Sequence, residues 1–197
     1  MMSVFEYFIE QSIKPKGQIG KLMLKMMNIA HKRIFTFGIE NLNVFDDCKL
    51  LDLGFGGGMA LKLLSKKFNR IKLFGVDFSE EALKTGTKNN RKDIDCGKIV
   101  LLQADIEKIP FPDDYFDIIT AFQTHYHWQD LDGKVQEIYR VLNRNGQFVI
   151  VAEKYKINYH MEKYQTESEL KELFITTGLR QIEYKETKYN MLIKGIK

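Results

Sequence analysis

The chain has no run of about 18 apolar residues, the length a helix needs to cross a bilayer, so a membrane-spanning helix is excluded. It holds only two cysteines, Cys48 and Cys96, far apart and without a Cys-x-x-Cys spacing or a histidine cluster beside either. That pattern speaks against a metal site or a redox pair and leaves two free, packed thiols as the expectation. Prolines are three, at Pro15, Pro110 and Pro112, and no repeat or low-complexity stretch occurs. A flexible linker between separate units is therefore not expected. The opening stretch MMSVFEYFIEQSIKPKG lacks a basic start and a long apolar core, and it carries Glu6 and Glu10. It does not read as a secretory signal, and a cytoplasmic location is the expectation. Charge of one sign is also scarce. The formal net charge is +4, and the first 35 residues account for it, with Lys14, Lys16, Lys21, Lys25, Lys32 and Arg33 against two glutamates. So modest a balance does not imply nucleic acid. It allows a weak peripheral contact of this basic segment with a membrane surface, or attraction of an anionic substrate, beside the plainer reading of a solvated helix face.

What is present is rhythm. From Gln18 to about residue 39, Ile19, Leu22, Met23, Met26, Met27, Ala30 and Ile34 recur at three- and four-residue steps, which predicts an amphipathic helix. From Lys49 on, short apolar runs near 49–53, 72–76, 98–102, 116–121 and 147–152 alternate with helical patterns near 57–68, 79–89 and 131–142. Such βα alternation predicts a doubly wound α/β fold with a mostly parallel sheet. A helix over about 167–176, opened by Thr166 with Glu169 three residues on, is followed by strand-like runs 181–187 and 189–195. Only Lys188 separates the last two, so they must pair antiparallel, completing a Rossmann-like sheet of seven strands. Residues 1–43 read as an N-terminal helical lid and 44–197 as the core.

Three segments carry chemistry. Asp52-Leu53-Gly54-Phe55-Gly56-Gly57-Gly58-Met59 runs from a strand through a glycine loop into a helix, a shape that lets backbone approach a ligand closely or merely packs tightly. A dinucleotide fingerprint starting at Gly54 needs glycine where Met59 stands. Asp77 ends the second strand 23 positions after Gly54, close to the roughly 20 expected of a ribose-gripping acid. As an alternative it caps the next helix, but Ser79, ahead of Glu80 and Glu81, already suits that role. Asp105 places a further acid at the carboxyl end of the third strand.

Together with Gly75-Val76-Asp77, Ala104-Asp105, Tyr115 to Thr120, the segment Phe122 to Asp130 and Tyr139 to Phe148, this pattern resembles class I S-adenosylmethionine methyltransferases over about residues 48–153. More narrowly it resembles the branch that includes the ubiquinone/menaquinone-biosynthesis enzymes. The resemblance implies that S-adenosylmethionine is the cofactor and that the loop from Gly54 through Phe55 and Gly56 to Gly58 lies beneath its methionine part. It implies Asp77 on the ribose, Phe78 against the purine, Asp105 on the adenine amine and the backbone of Ile106 as a donor to the ring. Ala121, Phe122 and Gln123 would border the sulfonium, and Asp52 would order the loop or meet the amino group through water. Two departures stand out. Phe55 replaces a residue that is often small, and His125-Tyr126-His127 replaces paired histidines.

Methyl transfer from a sulfonium asks for alignment, water exclusion and sometimes a base, and no metal. His125 and His127 are candidates for that base and Tyr126 for positioning, each with an ordinary structural role as its alternative. Asn28 and His31 share one helix face and are candidates to meet a carboxylate of cofactor or acceptor. The acceptor expected is a small molecule. A binding module without catalysis and an NAD-dependent oxidoreductase are the rival readings, the second disfavoured by Met59.

Overall fold

A computed structural model describes residues 31–197. The strands β1 (Cys48–Leu53), β2 (Ile71–Asp77), β3 (Ile99–Gln103), β4 (Phe116–Phe122), β5 (Leu142–Glu153), β6 (Arg180–Glu186) and β7 (Asn190–Ile196) form one sheet in the order β3-β2-β1-β4-β5-β7-β6. The first five run parallel, whereas β7 is antiparallel to both β5 and β6. The expected seven-stranded, doubly wound sheet with its antiparallel hairpin is therefore found, with the hairpin's second strand lying inside its first.

The helices are α1 (Lys32–Glu40), α2 (Met59–Lys67), α3 (Glu80–Asn89), α4 (Arg91–Asp95), α5 (Leu131–Val141), α6 (Lys154–His160) and α7 (Glu167–Thr177). Alternate residues of each central strand feed opposite layers, because side chains alternate across a strand. Leu50, Leu73, Ile118 and Val149 pack under α1 and α2 on one face. Leu51, Phe74, Ile119 and Ile150 pack under α5 and α7 on the other. The capping box that opens α7 forms as read: Glu169 N donates to Thr166 Oγ1 at 3.3 Å and Thr166 N to Glu169 Oε2 at 3.0 Å.

Two local readings change. Helix α2 starts at Met59 rather than near 57, because Gly58 sits in the left-handed region at φ 74° and so must precede the helix. Short α4 and α6 fill stretches with no clear periodicity. Of the helix read over 18–39, the described part is α1. It is a layer of the core rather than a cover: Ile34, Phe35 and Ile39 are buried, and Gly38 permits close approach to Phe122 and Val151.

Candidate active site

Strand order reverses between β1 and β4, which opens a crevice at their carboxyl ends, the place where doubly wound sheets bind ligands. Asp52 stands there, opposite Gly75 on β2 and Thr120 on β4. It is 2% exposed and accepts a hydrogen bond from Thr120 Oγ1 at 2.9 Å. Burial pushes its carboxyl up to about 7, against the Thr120 bond and helped by the nearby Asp77 charge. Asp77, 7% exposed, is also raised by burial. Its Oδ2 accepts from Gly56 N and its Oδ1 from Ser79 N, both at 2.9 Å. Ser79 itself caps α3, taking the Ala82 N–H. Among the described residues no lysine or arginine pairs with Asp52 or Asp77.

The glycine loop between them is built from both sides. Gly54, Gly56 and Gly58 all have positive φ, so a side chain at any of them would be strained. Asn89 Nδ2 donates to Gly57 O at 2.9 Å and Asn90 Nδ2 to Gly58 O at 3.1 Å, anchoring the loop to the end of α3. Sequence reasoning missed these two asparagines, because an Asn-Asn pair closing a helix reads as an ordinary C-terminus.

Phe55 is corrected. Its side chain leaves the loop and fills a slot whose walls are Gly75 and Gly86, where an added Cβ would come within 2.7 Å of the ring in either case. Only its backbone can serve a ligand. Phe122 is likewise turned away from the crevice, into an edge-to-face contact with Phe35 of α1 at 5.5 Å, and Ala121 is fully buried.

Farther along the edge, Phe78 is 39% exposed. Asp105 is exposed and caps the turn Ile106–Lys108, its Oδ1 taking the Glu107 N–H at 3.0 Å, while Ile106 is buried.

After β4 the backbone turns at Gln123, which has φ 60°. The side chain of Glu153, at the end of β5, grips that turn. Gln123 Nε2 donates to Glu153 Oε2 at 2.6 Å, and Glu153 N donates to Gln123 Oε1 at 2.9 Å. His125 is fully buried with neither ring nitrogen hydrogen-bonded, and burial drives it down to about 3. So weakly basic and so enclosed a ring is not the base expected there. His127 is half-buried and also depressed to about 3, by burial first and then by His160 and Lys156. Tyr126 is buried, which raises its phenol, and its hydroxyl reaches Gln123 Oε1 at 3.4 Å. His31, buried to about the same degree, is lowered to about 4 and meets Lys156 Nζ at 2.7 Å. Asn28 lies outside the described residues. Glu153, Lys156 and His160 were not foreseen: they come from a strand end and a seven-residue helix with no motif of their own.

Residues 51–150 match the model of a methyltransferase domain family. The chain belongs to the class I S-adenosylmethionine-dependent methyltransferases. It is 29% identical over 71% of its length to the ubiquinone/menaquinone biosynthesis C-methyltransferase UbiE of Citrifermentans bemidjiense, of which the match covers 59%. The fold is shared with a SAM dependent methyltransferase from Aquifex aeolicus, at a TM-score of 0.75 and 20% identity over 89% of this chain and 97% of that one. It is also shared with phosphoethanolamine N-methyltransferase 2 of Haemonchus contortus in complex with S-adenosyl-L-methionine, at a TM-score of 0.79 and 13% identity over 99% of this chain and 60% of that one. S-adenosylmethionine is thus the cofactor of this methyltransferase, and the oxidoreductase reading falls away.

Proposed function

We propose that the methyltransferase acts on a small-molecule acceptor that enters over the carboxyl ends of β4 and β5, with the cofactor laid over β1 to β3. The observation that carries this reading is the buried pair Asp52 and Asp77, both raised by burial and neither ion-paired among the described residues. A ligand bearing positive charge and hydroxyl groups suits such a pair. Each Asp77 oxygen keeps a lone pair after its backbone bond and can accept from a ribose hydroxyl. The exposed ring of Phe78 and the exposed carboxylate of Asp105 follow in order along the edge, offering an apolar face and an amine acceptor. The donor set fits S-adenosylmethionine.

When bound, that cofactor supplies a methyl group on a sulfonium whose departure leaves a neutral thioether. The rest falls to the chain. The glycine loop brings backbone N–H groups close, Asp77 fixes the sugar end, and the left-handed turn at Gln123 sets the border toward the acceptor. His127, half-buried and neutral near pH 7, is positioned to hold a hydrogen bond to an acceptor rather than to carry charge.

Calorimetry tests the proposal. S-adenosylmethionine and S-adenosylhomocysteine should both release heat on binding and NAD should not; heat from NAD alone would sink it.

A further inference from the structure

All four histidines of the chain, His31, His125, His127 and His160, gather at one end of the sheet, and a single lysine, Lys156, touches the first and acts through its charge on the last two. Lys156 Nζ lies 2.7 Å from His31 Nε2, 3.1 Å from Glu153 Oε2 and 6.0 Å from the Tyr126 ring centroid. His160 stacks on Tyr126 with centroids 5.3 Å apart and planes 10° apart, and it meets His127 edge-on at 4.8 Å. The positive charge of Lys156 reaches His31, His127 and His160, depressing each of them.

Every element around the cluster contributes. Helix α1 brings His31, the turn after β4 brings Tyr126 and His127, β5 brings Glu153, and α6 brings Tyr155, Lys156 and His160. Donors outweigh the anionic acceptors. An ammonium has three donors and no acceptor, while each neutral imidazole and the phenol offer one donor and an acceptor as well, one of which, His31 Nε2, already lies 2.7 Å from the ammonium. Against them stands one carboxylate, Glu153, whose Oε2 is already shared between Gln123 and Lys156. Lys156, His127 and His160 are half-buried rather than sealed, which leaves part of each open to a ligand.

Resting on the acceptor position argued above, we infer that this cluster is an oxyanion subsite: a carboxylate or phosphate group of the acceptor docks on the Lys156 ammonium and the imidazole N–H groups of His127 and His160. A donor-rich, partly dry site whose lysine is lowered by burial and held charged by Glu153 makes charge-assisted hydrogen bonds to such a group, which replaces part of the solvation the ammonium has lost. It also leaves the acceptor's other end directed at the Gln123 turn, where methyl transfer takes place.

Four histidines make the test direct, because each imidazole can be followed by NMR in the intact protein. Sodium sulfate, standing for a phosphate, and sodium benzoate, standing for a carboxylate, are titrated at constant ionic strength against chloride, with saturating S-adenosylhomocysteine present. One of the two anions should give saturable shifts of His127 and His160, raise their pKa values and leave His125 still; which one does so names the acceptor's group. Affinity should fall about tenfold or more in Lys156→Met and be largely retained in Lys156→Arg. No saturable shift beyond chloride, or the same shift in a Lys156→Met protein that melts like wild type, overturns the subsite. If Lys156→Met does not fold, Glu153→Gln decides, since removing the competing carboxylate should tighten the anion, and unchanged or weaker binding overturns the inference. Displacement of S-adenosylhomocysteine by the anion would assign the cluster to the cofactor's own carboxylate and likewise overturn it. Heat from S-adenosylhomocysteine with a flat anion titration removes the subsite but spares the cofactor reading; no heat removes both.

Discussion

The two halves of the sheet's carboxyl edge handle charge in opposite ways. Over β1 to β3 the protein buries acids without a described cation, Asp52 and Asp77, and holds them with Thr120 Oγ1 and backbone N–H groups. Over β4 and β5 it gathers donors, with four imidazoles lowered by burial and one lysine acting on three of them, His31, His127 and His160. The first half is preorganised for a cationic, hydroxyl-bearing ligand, the second for an anionic or hydrogen-bond-accepting one. A reaction that brings two different molecules to one edge needs such a division, because like-charged halves would favour one ligand at both places.

That comparison can be broken from the acidic side most severely by removing its support. Phe55→Ala should destabilise the fold by about 3–5 kcal/mol, since it empties the slot between Gly75 and Gly86. Denaturant unfolding would show it, and a loss below 1 kcal/mol would mean that the ring is not the wedge described. Next, Asp77→Ala should weaken S-adenosylhomocysteine binding by about 2–3 kcal/mol, with the melting curve little changed. Lys156→Met should leave that affinity within about twofold. Equal losses in calorimetry would erase the distinction between the halves.

The basic side should reveal itself in pH. His31, His125 and His127 have folded pKa values of about 4, 3 and 3, below the ordinary 6.5. The unfolded chain therefore binds more protons below about pH 6.5, and stability is lost as pH falls through that value toward 4. Asp52 acts in reverse: its folded value of about 7 against 3.8 means that stability is lost as pH rises through the range between them. Melting temperature followed from pH 4 to 9 should fall steeply on the acid side. His125→Leu should flatten that limb and add about 1 kcal/mol near neutrality, because an unsatisfied buried imidazole is replaced by an apolar group of similar size. The smallest effect belongs to Asp52→Asn, which should raise the melting temperature by a few degrees above pH 7 while keeping an acceptor for Thr120 Oγ1. A drop there would show that the ionised carboxylate is stabilising.

The acidic half was legible in the sequence; of the basic half His31, Gln123, Tyr126 and His127 were legible one by one, while Glu153, Lys156 and His160, and the meeting of all of them, were not. Asp52, Gly54, Asp77 and Asp105 each close a strand or open the turn after it, so periodicity alone locates them on one edge. His31, Gln123, Glu153, Lys156 and His160 meet only because α1 and α6 pack beside β4 and β5. A helix of seven residues offers too few turns to declare itself, and no spacing ties residue 31 to residue 156. Phe55 is found in the loop where it was read, but the slot its ring fills was not legible, because the small residues that receive the ring, Gly75 and Gly86, lie on other elements. The five parallel strands were readable because short apolar runs buried on both faces leave little choice of partner, and the last two because so short a connection allows only an antiparallel pair.

The fit of Phe55 against Gly75 and Gly86 also governs which sequences can follow this one. An alanine at either glycine meets the ring and costs stability while Phe55 is present, and at Gly75 it also meets Leu101 at 2.8 Å and Leu61 at 3.0 Å, so a smaller residue 55 relieves part of the crowding rather than all of it. The three positions are therefore expected to drift as a set, in a preferred order, with the shrinkage of residue 55 coming first. With the ring in place the two glycines are held not by any turn they make but by the space that the ring takes up.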